Sequence, residues 1–229
     1  MMINKIKEIE KRIEYIIENW EHDPKITTQE IRFALCAHLH SLYADEKVKC
    51  LAREYLQKIK KRKRLDSEMI LTAIAAAMVL GEDFSEYWNK IKEKIERSIG
   101  TKKSNLTFQL LITLAPEALK KIHDERYVKT LLKDLRKQDI EKKLLSYWIE
   151  KYLFSKEEKI AISQNQIKHI REYLLWALIT NGKSENKWEG RYRDEVLTYE
   201  INRFDWTVFL IYQFLKKNRP IVITERELN

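Results

Sequence analysis

Glycine and proline are scarce, with four and three residues in a chain of 229. Sheet-rich folds rely on those residues for tight turns, so a strand-built architecture is disfavoured. Cysteine is scarcer still. Cys36 and Cys50 are the whole complement and neither belongs to a CxxC motif, which sets aside a disulfide framework and a zinc cluster. The two flank a turn expected near residues 43–45, at similar heights on an antiparallel helix pair. A bridge would need Cα atoms within about 7 Å. Two buried thiols are the expectation for a cytosolic chain.

Long apolar runs are missing too. Residues 69–80, MILTAIAAAMVL, form the most apolar stretch. A membrane-spanning helix needs about 20 apolar residues, so no membrane span is expected. Residues 1–20 carry charges throughout. That leaves no apolar core for a secretory leader, and a cytoplasmic protein is expected.

Chemical signatures are absent as well. GxGxxG, GxxxxGK[ST] and GxSxG do not occur, which sets aside phosphate-loop and α/β-hydrolase chemistry. The five histidines, His22, His38, His40, His123 and His169, include no i,i+4 pair of the HExxH kind. His38 and His40 point about 200° apart on a helix, so one must face the packing side as a hydrogen-bonded core histidine. Carboxylates gather at expected helix starts (Asp66, Asp83, Asp124 and Asp139), where capping accounts for them. No catalytic residue, cofactor or metal ligand is expected.

What the chain has is apolar and charged residues in quantity. Hydrophobic residues make up 44% and charged ones 34%, with 44 Lys and Arg against 35 Asp and Glu for a net charge of +9. That balance describes a packed core under a charged shell. A chain of this length buries roughly 70% of its unfolded surface and needs no metal or disulfide to fold.

Eleven of the twelve residues 69–80 are apolar, Thr72 being the exception. Ala73, Ala75, Ala76 and Ala77 favour helix over strand and let neighbouring helices approach closely. A helix apolar on all sides must be covered by protein on most of them. Asp66 or Ser67 can cap its start, and Gly81 suits a left-handed stop. Similar stretches begin 38 residues earlier at Ile31 and 38 residues later at Thr107. Each precedes a charged amphipathic helix. The apolar sets are Val48, Leu51, Tyr55, Ile59; then Trp88, Ile91, Ile95, Ile99; then Val128, Leu131 or Leu132, Leu135. A two-helix unit of this period belongs with α-hairpin repeats, which run from ~34 residues in tetratricopeptide repeats to ~40–47 in HEAT repeats.

The expected fold is therefore all-α, with about 10–12 helices in stacked antiparallel hairpins: an α-hairpin, HEAT-like array or partial α/α toroid. Residues 1–219 form one array. Within it, 1–22 hold a covering helix, 27–136 three hairpin repeats and 139–217 the C-terminal helices, and 220–229 form a tail. Capping-box spacing marks starts at Thr27, Asp83, Ser155 and Ser163. Residues 100–105, GTKKSN, read as a loop, and so does 183–190, KSENKWEG. A helix is expected over 164–180, and one or two more over 191–215.

Two groups are candidates for binding. Lys58, Lys60, Lys61, Arg62, Lys63 and Arg64 form a basic run with no acidic residue inside it. Such a run neutralises phosphates, meets an acidic partner, or is simply a solvated helix end compensating a dipole. Trp188, Arg191, Tyr192 and Arg193 form a candidate binding loop, able to stack bases or anchor a peptide if exposed. The alternation of apolar inner and charged outer helices, with the stretch NGKSENKWEG, also resembles part of a terpene-cyclase-like α/α toroid. That resemblance implies an enzyme with an apolar central cavity. The DxDD motif of those cyclases is absent, so it implies no catalytic residue. The leading expectation is a non-enzymatic binding scaffold for a protein partner. The alternatives are a nucleic-acid binder using the basic run and a toroid-like enzyme.

Overall fold

A computed structural model describes residues 2–113, 124–154, 162, 166–180 and 189–217, the side chains of 152–154 and 189–191 excepted. The described residues form eleven α-helices and no strand. They are α1 (Met2–Asn19), α2 (Thr28–Leu39), α3 (Glu46–Lys60), α4 (Ser67–Leu80), α5 (Ser85–Glu96) and α6 (Gly100–Thr113). Then come α7 (Glu125–Arg136), α8 (Ile140–Phe154), α9 (Ile170–Thr180), α10 (Glu189–Thr198) and α11 (Trp206–Lys217). None of these helices is long and apolar enough to cross a membrane.

The apolar stretch is α4, and it contacts α2, α3, α5 and α6. Ile70 through Ala77 are all buried. Four alanines there leave room for neighbours on several sides. The Asp66 carboxylate accepts from the Met69 N–H at 2.8 Å and caps the start. Gly81 ends the helix at φ +69°, a left-handed conformation that costs glycine little. Thr27, Asp45, Asp124 and Asp139 likewise cap α2, α3, α7 and α8. Thr27 and Glu30 complete a reciprocal capping box.

Around α4 the neighbours alternate. α2, α4, α6 and α8 each touch the next, while α3, α5 and α7 touch the members of that row beside them. The outer helices bury one face each: Tyr87, Trp88, Ile91 and Ile95 on α5, and Val128, Leu131, Leu132 and Leu135 on α7. Beyond α8 the contacts run through α9 to α11, which returns to α1 and α2. Rings from four helices meet there. Phe33 of α2 packs against Phe204, Trp206 and Phe209 at 6.4, 6.3 and 5.6 Å between centroids. Trp206 also meets Phe108 of α6 and Trp148 of α8.

Glu30 ties the start of the chain to its end. Its carboxylate, 1% exposed, accepts from the Arg12 guanidinium of α1 at 2.6 Å. It also accepts from the Phe204 N–H just before α11 at 3.3 Å and the Thr27 N–H at 2.9 Å. Burial alone would raise its pKa. The hydrogen bonds from Arg12, Thr27 and Phe204 outweigh that and hold it below the ordinary carboxylate value. Tyr212 of α11 adds a second tie, its hydroxyl 2.7 Å from the Leu42 carbonyl and 3.0 Å from Glu10.

Several expectations are corrected. The capping box from Asp83 to Glu86 does not form. Phe84 takes the cap position and Asp83 instead binds the N–H and hydroxyl of Ser85 at 3.0 and 2.6 Å. Residues 100–105 are the start of α6, not a loop. Gly100 at φ +56° turns the chain out of α5, and two lysines sustain the new helix at once. Ile99 is left 85% exposed instead of joining the α5 stripe. The helix expected from 164 begins at Ile170, because the Glu172 carboxylate accepts from the Lys168 and His169 N–H groups and closes its first turn. Cys36 is buried and Cys50 is exposed, both free. Position 50 lies on the solvated face of α3, so only one of the two expected buried thiols is buried. The boxes at Ser155 and Ser163, Trp188, and the tail 220–229 lie outside the described residues.

Candidate functional site

The basic run is the turn between α3 and α4. Ile59 is the last buried anchor of α3, 3% exposed. The chain then turns, with the Arg62 N–H donating to the Ile59 carbonyl at 2.9 Å, and Leu65 packs back before Asp66 caps α4. Lys60 through Arg64 are held outside the core by anchors on both sides, and all are exposed. Cations here also offset the negative dipole at the end of α3.

The structure separates the six. Lys60, Arg62 and Lys63 line a groove of about 490 Å³. Its opposite wall is α5, which contributes Glu86, Lys90, Glu93, Lys94 and Arg97, and its floor includes Ile70 and Tyr87. The α5 residues fall on the face beside the buried Tyr87, Ile91 and Ile95 stripe, so packing aims them into the groove. Glu86 pairs with Lys90, and Glu93 pairs with Arg97, each within one turn of α5. Six cations and two carboxylates therefore leave four positive charges: Lys60, Arg62, Lys63 and Lys94. None of those four has a carboxylate within ion-pair distance among the described residues. Lys61 and Arg64 do not line the groove. Lys58 turns the other way, with its ammonium 4.5 Å over the Trp20 ring and 3.7 Å from Glu21.

A smaller pocket of about 150 Å³ lies across the last turn of α3 and shares Ile59 and Arg62 with the groove. Its walls are Trp20, Ile26, Ile31 and Tyr55, with Met69 and Lys58 at its edge. The Trp20 and Tyr55 rings are 5.9 Å apart and tilted by 54°. Arg62 leans on the Met69 sulfur at 3.8 Å. Burial pushes the Tyr55 phenol pKa up. Its hydroxyl lies beside that of Thr72, which reaches the Thr28 and Glu68 carbonyls.

The second sequence candidate is placed differently. Tyr192 lies within α10, 7% exposed, with its ring stacked on Tyr173 at 4.9 Å. It packs inward and offers no open face. Arg193 is exposed. Trp188 and the side chain of Arg191 lie outside the described residues. His40 is a core residue. It stacks on Trp148 at 5.9 Å, its Nδ1 is 3.3 Å from the Gln213 amide, and burial pushes its pKa down to about 3, which keeps it neutral. Lys103 lines a separate depression with Asp134, and Lys216 pairs with Glu10 at 2.6 Å. Among the described residues, no three His, Cys, Asp or Glu side chains are grouped as metal ligands would be.

Sequence reading missed the α5 wall. Lys90, Lys94 and Arg97 look like the solvated face of an amphipathic helix, which they also are. The groove forms because α4 contacts both α3 and α5 and so brings α5 beside the turn that carries the basic run. Comparison of the chain with family models, with curated proteins and with solved structures finds no match.

Proposed function

We propose that the chain is a non-enzymatic array of stacked helical hairpins that binds nucleic acid through the groove between the α3–α4 turn and α5. One observation carries the reading: Lys60, Arg62, Lys63 and Lys94 converge from two segments on one concavity with no carboxylate to neutralise them. Concentrated, unpaired cations gain most from a phosphate backbone, because each releases a condensed counterion. The alternating contacts of α2, α4 and α6 with α3, α5 and α7 support the repeat of about 38 residues, whose stacking builds such concave surfaces.

A protein partner fits the surface less well. The large hydrophobic side chains exposed among the described residues are Ile3, Tyr15 and Ile99, which supply no clustered anchor for a protein interface. The toroid-like enzyme needs an apolar chamber, and the rings of Phe33, Phe108, Trp148, Trp206 and Phe209 fill the space where their helices meet.

The test is a charge reversal, Arg62→Glu with Lys63→Glu and Lys94→Glu, titrated against labelled oligonucleotides by fluorescence anisotropy. All three residues are surface cations outside the core, so folding, followed by circular dichroism, stays intact. Loss of at least 100-fold in affinity is expected. Unchanged affinity in a folded variant would overturn the proposal.

A further inference from the structure

We infer that the groove's ligand is single-stranded nucleic acid, with one unstacked base entering the pocket that Trp20 and Tyr55 line. This rests on the nucleic-acid reading of the groove and adds to it the strandedness of the ligand and a base-holding subsite. The pocket and the groove are two sides of one wall. Ile59 and Arg62 line both, so a backbone lying over Arg62 and Lys63 passes the pocket's edge.

The pocket has the chemistry that holds a base. Its lining combines two aromatic rings with Ile26 and Ile31, so a flat ring entering it meets aromatic and aliphatic surface. Lys58 now occupies the Trp20 face as a cation over the ring. A base entering from the groove takes that place and frees the ammonium for the adjoining phosphate. The Lys58–Glu21 contact is long, at 3.7 Å, and both side chains are about half exposed, so it holds Lys58 only weakly. Arg62, resting on the Met69 sulfur, lines the pocket as well.

Size and shape select the strand. A volume of about 150 Å³ admits one ring system and not a base pair. Bases in a duplex are paired and stacked, and only an unpaired strand can splay one outward. Phosphate-only ligands would fill the groove and leave the pocket empty.

The test measures anisotropy with four ligands of matched length and charge: oligothymidine, the same backbone made abasic, a duplex, and polyglutamate. The wild-type chain is expected to bind oligothymidine at least 10-fold more tightly than the abasic strand, and more tightly than the duplex. Trp20→Leu should remove about 10-fold from oligothymidine affinity and leave the abasic strand unchanged. In the wild-type protein, oligothymidine should quench the Trp20 contribution to fluorescence, defined by difference from Trp20→Phe, and the abasic strand should not. Equal affinity for oligothymidine and abasic strands, both weakened by the charge reversal, would overturn the base subsite and leave the groove reading standing. A preference for duplex would overturn it as well. Equal or tighter binding of polyglutamate would overturn both.

Discussion

The molecule has two centres, and they are built on opposite plans. Around α4, packing is achieved with small residues: Ala73, Ala75, Ala76 and Ala77 are all 1% exposed or less, and four helices crowd against them. Around α11, packing is achieved with the largest residues the chain has. Phe33, Phe204, Trp206 and Phe209 fill the junction of α2, α6, α8 and α11 ring against ring. An alanine centre is intolerant of growth, and a ring centre is intolerant of loss. The first sets how closely α2, α3, α5 and α6 approach α4 and so fixes the wall from which the basic turn projects. The second fastens the end of the chain to its beginning.

Removing a ring should do the most damage. Phe209→Ala deletes a fully buried side chain that touches Phe33, His40 and Trp206, and should cost about 3–5 kcal/mol in chemical denaturation. A cost under 1 kcal/mol would mean that the junction collapses to fill the space and that the ring centre is not specific.

The knot between the two centres comes next. Glu30→Gln removes the charge from bonds to Arg12, Thr27 and Phe204 and should cost about 1.5–3 kcal/mol at neutral pH. The sign of its pH dependence follows from the lowered pKa of Glu30. The unfolded state takes up the proton first as pH falls, so the stabilisation is complete above the ordinary carboxylate value of 4.5. It is lost as pH drops through the lower folded value. Wild type and Glu30→Gln should therefore converge in stability at acid pH, and a constant gap down to that range would contradict the assignment.

Enlarging the alanine centre should have the smallest effect of the three. Ala75→Leu places a branched side chain where α4 has no free surface and should cost about 1–3 kcal/mol. Neutral or improved stability would show that α4 has unfilled space beside it.

The difference between the centres also explains what the sequence could reveal. The alanine centre is written locally. Its apolar run, the caps at Thr27, Asp45 and Asp66, and the stop at Gly81 all lie within a few residues of the helices they define. The ring centre joins Phe33 to residues about 170 positions away, and no local pattern states that pairing. Phe204, Trp206 and Phe209 stand in the sequence as aromatics at helical spacing, which says nothing of their distant partners. The same divide runs through the candidate site. The basic run is contiguous and stood out. Its companions Lys90, Lys94 and Arg97 are spread along α5 and become part of a groove only when α4 brings α5 alongside. Tyr55 reads as a core residue; it and Trp20 are both buried and also line a pocket. Asp83 shows the opposite failure. Its spacing to Glu86 satisfied the capping rule, yet the turn after Gly81 gave the cap position to Phe84.

In the proposed site, four unpaired cations of one groove meet phosphates. The salt dependence of oligonucleotide binding measures it most directly. For a single strand contacting Lys60, Arg62, Lys63 and Lys94, the logarithm of the association constant should fall with the logarithm of salt concentration at a slope of roughly −3. Lys94→Glu alone should flatten that slope by about 0.7. A slope near zero in the wild-type chain, or the same slope with and without Lys94, would contradict the account.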